Sequence, residues 1–393
     1  MKKILAMLLA LVMVMSVVAC GEKPGETTAP AETNAPAEST PETTAPVESD
    51  VEYKIAMITD YGDITDQSFN QTTYEAVKAF SEANGVDYNY YKPSGDSTAE
   101  RIAMVDAAIV DGYNVIVLPG YAFGETLVEV ADVYPEIKFI ALDVAEGEGG
   151  FAATENVFSA VYQEELSGYM AGVAAVKLGY KHLGYLGGMA VPAVQRFGYG
   201  FLQGVDAAAK ELGIVGDIKV EYVYGNQFYG DADITAVMDT WYGEKGVECV
   251  FACGGGIWSS AAEAAAKVGG KVIGVDVDQA AIIDGQYGEG MTVTSAMKGL
   301  APTVNTLLTA IVLEDNWAAY AGKIETLGLV SADPEANYVQ IPMASTQFAE
   351  GFTAEDYSAL VAAMFEGTVA VSGDISAFPT TEVAVETYAD IKG

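Results

Sequence analysis

Cysteine, histidine and basic residues are all scarce in this 393-residue chain, which has three cysteines, one histidine and 19 Lys and Arg against 55 Asp and Glu. With Cys20 near the amino terminus, only Cys249 and Cys253 remain in the body of the sequence. Four apart on one strand, those two point the same way but stand roughly 13 Å apart, too far to bridge. They read as small buried hydrophobes, and a lone His182 completes no zinc quartet, so a disulfide scaffold and a structural zinc are both excluded. A net charge of −36 repels phosphate backbones and anionic head groups, which excludes nucleic acid as a partner. Catalytic signatures are missing too. There is no G-x-S-x-G elbow, no HExxH and no P-loop, and no histidine partners any serine, so no poised nucleophile or base marks an enzyme.

Apolar residues, by contrast, make up 51% of the chain, enough for a large core split into two lobes of ordinary domain size. At the start, Lys2 and Lys3 precede the apolar run "ILAMLLALVMVMSVVA", which ends in Ala19 before Cys20. A basic n-region, an apolar h-region and small residues before the cut make residues 1–19 a secretory signal. The cysteine directly after Ala19 resembles a bacterial lipoprotein signal, with Cys20 as the lipidated residue. Residues 21–50 hold five Pro, six Thr, six Glu and no aromatic residue. Such a stretch buries too little to offset its ordering entropy and is expected to be a disordered tether.

From Tyr53 onward, short apolar runs alternate with helical patterns. "KIAMIT", "VDYNYY", "NVIVLP", "KFIALD", "HLGYLG", "IKVEYVY", "VECVFAC", "KVIGVD" and "MTVTSA" read as strands. Continuous apolar strands, each followed by a helix, predict parallel sheets covered on both faces. The series is four strands, a long helix after Asn156, then four more, which suits two similar α/β lobes and not one eight-stranded barrel. The expected lobes are 51–156, completed by about 279–325, and 157–278, completed by about 326–393. Crossings are expected near Asn156, near Gln279 and over 324–335.

In open parallel sheets, ligands sit beyond the carboxyl ends of the strands. Those turns are rich in glycine, aromatics and carboxylates here, above all "DITDQSFNQ" at 63–71. The candidates are Asp60, Asp66, Ser68, Phe69 and Asn70 at the first turn, Tyr121, Asp143, Phe228 and Trp258 at later ones, then Asp276, Asp278 and Lys298. Each has a purely structural alternative: Asp66 or Ser68 as a helix cap, Phe69 as core, Lys298 as a solvated lysine. Asp276, directly after the buried run "KVIGV", is the carboxylate that most needs a partner.

The segments "DITDQSFNQ", "FIALD", "YQEELSGYMAGVAA", "GGMAVPAVQRFGYGFLQGVDAA", "GVDVDQ" and "TSAMKG" resemble the basic membrane protein family. These are lipoprotein receptors for purine nucleosides that feed bacterial ABC importers. The resemblance implies a type I periplasmic-binding-protein fold, two α/β lobes joined by a hinge. It also implies a nucleoside held between aromatic rings, its ribose bonded by carboxylate and lysine. The chemistry agrees: purines stack on Phe or Tyr, and Asp276 or Asp278 offers a carboxylate to a diol that Lys298 also reaches. The sequence departs from the family pattern at Gly254–Trp258, at Tyr61–Asp63 and at Gly225–Phe228, which re-shapes the pocket rim. The expected protein is a monomeric receptor without cofactor, tethered by lipid at the outer membrane face and delivering a purine nucleoside to an ABC permease. The alternatives are the same architecture holding a sugar or signal molecule, and an extracellular nucleoside or sugar hydrolase.

Overall fold

The structure, a computed structural model, describes residues 51–393. The expected signal, Cys20 and the tether lie outside the described residues. Five strands open the fold: β1 (Lys54–Ile58), β2 (Asp87–Tyr91), β3 (Val115–Pro119), β4 (Lys138–Leu142) and β5 (Val157–Tyr162). Five more follow: β6 (His182–Gly187), β7 (Lys219–Tyr224), β8 (Cys249–Cys253), β9 (Lys271–Asp276) and β10 (Thr292–Lys298). Three short strands close it, β11 (Lys323–Leu327), β12 (Val339–Gln340) and β13 (Ala384–Thr387). The helices of the first lobe are α1 (Phe69–Asn84), α2 (Thr98–Val110) and α3 (Phe123–Val130). Those of the second begin with α4 (Glu164–Lys177), α5 (Pro192–Leu212), α6 (Ala232–Asp239), α7 (Trp258–Val268) and α8 (Ala280–Tyr287). Then come α9 (Leu300–Leu308) and α10 (Ala354–Phe365).

The strands form two sheets, ordered β11-β5-β4-β3-β1-β2 and β12-β10-β9-β8-β6-β7-β13. Every pairing is parallel except that of β12 with β10. Runs such as Val115–Pro119 and Cys249–Cys253 are buried along their whole length because helices cover both faces of each sheet. In the first lobe, Val77 and Val304 pack one face while Val105 and Leu127 pack the other. In the second, α4 and α5 lie unusually close. Gly168 and Gly172 meet the backbone of Phe197 and Phe201, and Gly200 and Gly204 meet Glu165 and Tyr169. A Cβ at any of the four glycines would fall 2.1–2.3 Å from a carbonyl oxygen. The glycines inside "YQEELSGYMAG" and "RFGYGFLQG" are therefore packing residues.

Two expectations need correction. Residues 157–162, expected to open the second lobe, form strand β5, which pairs with β4 and β11 in the first sheet. Strand β10, expected to complete the first lobe, pairs with β9 in the second. Helix α9 then returns to the first lobe, where Leu300, Val304 and Leu307 join its core. The chain thus crosses between sheets at 162–164, at 298–300 and over 327–339. Only the third crossing falls where the sequence pattern places it. A short apolar run carries no mark of the sheet it joins, because that choice is made by partners distant in sequence.

Candidate functional site

Both sheets point the carboxyl ends of their strands at one cleft, and a cavity of about 350 Å³ opens there. Two strand-end residues set its charge. Asp143 follows β4 and Asp276 ends β9, and both take left-handed backbone, φ +64° and +65°. Aspartate tolerates that conformation and a β-branched residue does not. The equivalent ends of two similar lobes therefore each turn a carboxylate into the cleft.

Lys298, at the end of β10 and at the second crossing, lies between them. Its Nζ is 2.5 Å from Asp143 Oδ2 and 3.1 Å from Glu164 Oε1, with only 2% of the side chain exposed. The ammonium stands 5.1 Å from the centre of the Phe69 ring and 5.4 Å from those of Tyr162 and Phe197. Arg196 Nε lies 2.5 Å from the second oxygen of Glu164. Burial opposes the charge on Lys298, but Asp143, Glu164 and Asp276 outweigh it and hold the ammonium well above its usual range. Burial pushes Asp143 up, with the Lys298 charge pulling it back. Asp143 Oδ1 is buried without a hydrogen-bond partner among the described residues. Two anions and two cations form one chain across the first two crossings, and its outer carboxylate keeps an oxygen spare.

Asp276 is also buried, which raises its pKa against the pull of Lys298. Its Oδ2 accepts the Ser68 hydroxyl at 2.6 Å, which joins the two lobes directly. A second interlobe bond runs from Gln279 Nε2 to the Gln67 carbonyl at 3.0 Å. On the first lobe, Asp60 Oδ1 accepts the N–H groups of Tyr61 and Gly62 at 2.7 and 2.8 Å and, more weakly, the Asn70 amide. Burial raises the Asp60 carboxyl as well. The rim closes where the Tyr61 and Tyr121 hydroxyls converge on Met189 Sδ at 3.4 and 3.7 Å. The Phe228 ring is seated on Gly188 and Gly254, where a Cβ would strike it, and lies 6.5 Å from the Tyr61 ring.

Asp60, Phe69, Asn70, Tyr121, Asp143, Phe228, Asp276 and Lys298 therefore all line one cavity. Four other candidates behave differently. Asp66 borders the cavity, but its carboxylate caps α1 by accepting the N–H groups of Ser68, Asn70 and Gln71. Burial still pushes it up to about 6. Ser68 is wholly buried and acts on Asp276 instead of lining the cavity. Asp278 turns aside and accepts the Ala280 N–H at the start of α8. Trp258 faces the core beside Ile234 and Tyr287, not the rim. A large ring at the first residue of a helix is drawn to whichever apolar layer the helix covers, and the sequence pattern does not show which face that is. Neither Glu164 nor Arg196 was among the candidates. The one available signal was an acid opening a helix straight after an apolar run.

Two α/β lobes closing on a cleft of rings, carboxylates and one buried lysine, with the chain crossing three times, define a solute-binding protein of the kind that serves ABC transporters. A crystallised ABC solute-binding protein from Aeropyrum pernix superimposes with a TM-score of 0.63 at 25% identity, covering 81% of this chain and 87% of that one. The family described as Bmp, ABC transporter substrate-binding protein PnrA-like, matches residues 53–332, and the chain belongs to it. Members of that family are substrate-binding proteins, not enzymes. The ABC transporter nucleoside-binding protein BmpA of Lactococcus lactis is 28% identical over 250 residues, 60% of this chain and 67% of that one. Basic membrane protein B of Borreliella afzelii is 28% identical over 292 residues, 70% of this chain and 78% of that one.

Proposed function

We propose that this protein captures a purine nucleoside in the interlobe cleft and delivers it to an ABC permease. In this reading it is held at the outer face of the cell membrane by lipid on Cys20. The observation that carries the reading is the composition of the interlobe cavity. Phe69 from one lobe and Phe228 from the other supply rings for a flat base. Asp143 with a spare oxygen, Asp276 and Lys298 supply the groups that hold a diol. Asp60 and Asn70 add polar groups for the edge of the base. A volume of about 350 Å³ suits a ligand of that size.

Charge narrows the class further. Arg196 and Lys298 are already engaged with Glu164, and acidic side chains outnumber basic ones around the cavity. Lys92, also on the lining, is paired with Asp63 at 2.8 Å, so a phosphate meets no unpaired cation among the described residues of the cavity, which favours a nucleoside over a nucleotide. The nucleoside-binding relative supports the same ligand class. Mass spectrometry of ligand released from the gently purified protein tests the reading. A purine nucleoside is expected, and a hexose or a nucleotide in its place overturns it.

A further inference from the structure

The family match ends at residue 332, yet the segment 382–393 reaches back to the ligand cleft. Its path is fixed step by step. Asp206 Oδ1 accepts the N–H groups of Glu382 and Val383 at 2.7 and 3.0 Å. Strand β13 then lies parallel to β7, from Ala384 beside Lys219 to Thr387 beside Tyr222. Past the strand, Tyr388 and Ile391 donate their N–H groups to the Tyr222 and Tyr224 carbonyls at 3.0 and 2.9 Å. The Tyr388 hydroxyl meets the buried Glu221 carboxylate and Lys245.

The segment finishes on the loop that carries Phe228. The Lys392 carbonyl accepts the Asn226 amide at 3.1 Å, and its ammonium lies 2.8 Å from Asp231 Oδ2 and against Asp233. Asn226 and Asp231 bracket Phe228. Asn226 holds a left-handed φ of +60°, and Asp231 caps α6 by accepting the N–H groups of Asp233 and Ile234. The loop is therefore gripped from two sides. Inside, Gly225 and Asn226 bond to the Gly187 and Gly188 carbonyls, and Gly256 bonds to the Phe228 carbonyl. Outside, Lys392 ties both ends together.

We infer that residues 388–392 form a strap that positions the Phe228 loop, with Lys392 the positioning residue that sets ligand affinity without touching ligand. An ion pair as exposed as that of Lys392 adds little to global stability. Its effect is local: it keeps a cleft loop in the bound arrangement, so that binding does not have to order it. A role in stability alone predicts the reverse, a change in unfolding with affinity untouched.

The inference takes its ligand from the nucleoside reading, so the test has one arm with ligand and one without. In the full chain, Lys392→Glu sets like charge against Asp231 and Asp233, and Lys392→Arg keeps the bond. Hydrogen exchange of residues 225–230 is followed without ligand, and titration calorimetry uses adenosine, guanosine and inosine. Lys392→Glu is expected to speed exchange across the loop and weaken binding about three- to tenfold, with the melting temperature near the parent's. Lys392→Arg is expected to match the parent, and in a Phe228→Ala background Lys392→Glu is expected to add no further loss. Unchanged loop exchange in Lys392→Glu overturns the strap. So does faster exchange with nucleoside affinity equal to the parent's. If the parent binds none of the three nucleosides, the nucleoside reading fails and loop exchange alone decides the strap.

Discussion

The Ser68 hydroxyl donates to Asp276 Oδ2 at 2.6 Å across 208 positions of sequence, and both residues are buried. One belongs to the turn before α1 in the first lobe, the other to the end of β9 in the second. The bond occupies one carboxylate oxygen and leaves the other to the cavity. The bond that joins the two lobes thus also holds the carboxylate at the cavity.

Asp276→Ala is accordingly expected to weaken purine nucleoside binding by at least about 2 kcal/mol, roughly thirtyfold, as for loss of a charged hydrogen bond. Binding of the free base should suffer much less, because the base lacks the diol. Ser68→Ala, which removes one bond to the same carboxylate, is expected to cost about tenfold or less. Calorimetry with a nucleoside and its base on all three proteins checks this. Equal losses for nucleoside and base would place Asp276 away from the ribose.

Lys298 neutralises carboxylates that are largely buried. Replacing it by Met, similar in volume, leaves Asp143, Glu164 and Asp276 sharing only Arg196. Stranding buried charge in this way typically costs about 3–5 kcal/mol. Urea unfolding of Lys298→Met without ligand should show a loss of that order. A loss under about 1 kcal/mol would mean that water enters the cluster in the free protein.

Glu165 sits beside that cluster, 5% exposed, with its Oε2 unpartnered among the described residues. Burial pushes its carboxyl up to about 7. A carboxyl raised on folding binds its proton more tightly folded than unfolded. Its penalty is therefore absent below its ordinary value and grows as pH rises to about 7. Glu165→Gln should match the parent at pH 4.5 and exceed it at pH 8, by at most about 3 kcal/mol. Chemical denaturation at the two pH values provides the comparison. Equal stability at pH 8 would show that Glu165 reaches solvent when ionised.

Cys20→Ala addresses the anchor proposed from residues 1–20. Fractionation of cells making the parent and the variant should move the variant from membranes to the soluble or secreted fraction. A variant retained on membranes as fully as the parent removes Cys20 as the anchor.

Much of this protein was legible in local pattern. Buried runs such as "NVIVLP" and "VECVFAC" marked parallel strands, and the turns after them marked the cleft, because burial on both faces leaves a continuous apolar signature. Asp276 stood out because a carboxylate after a buried strand needs a partner, and the structure provides Ser68 and the Lys298 charge. Tertiary structure alone decided the rest. It gave β5 and β10 to their sheets, turned Trp258 into the core, and brought Glu164 and Arg196 to Lys298. The physical reason is range. Periodicity and turn chemistry act over a few residues and are written in sequence, whereas the partner of a buried charge or a strand edge lies from about twenty to about two hundred positions away.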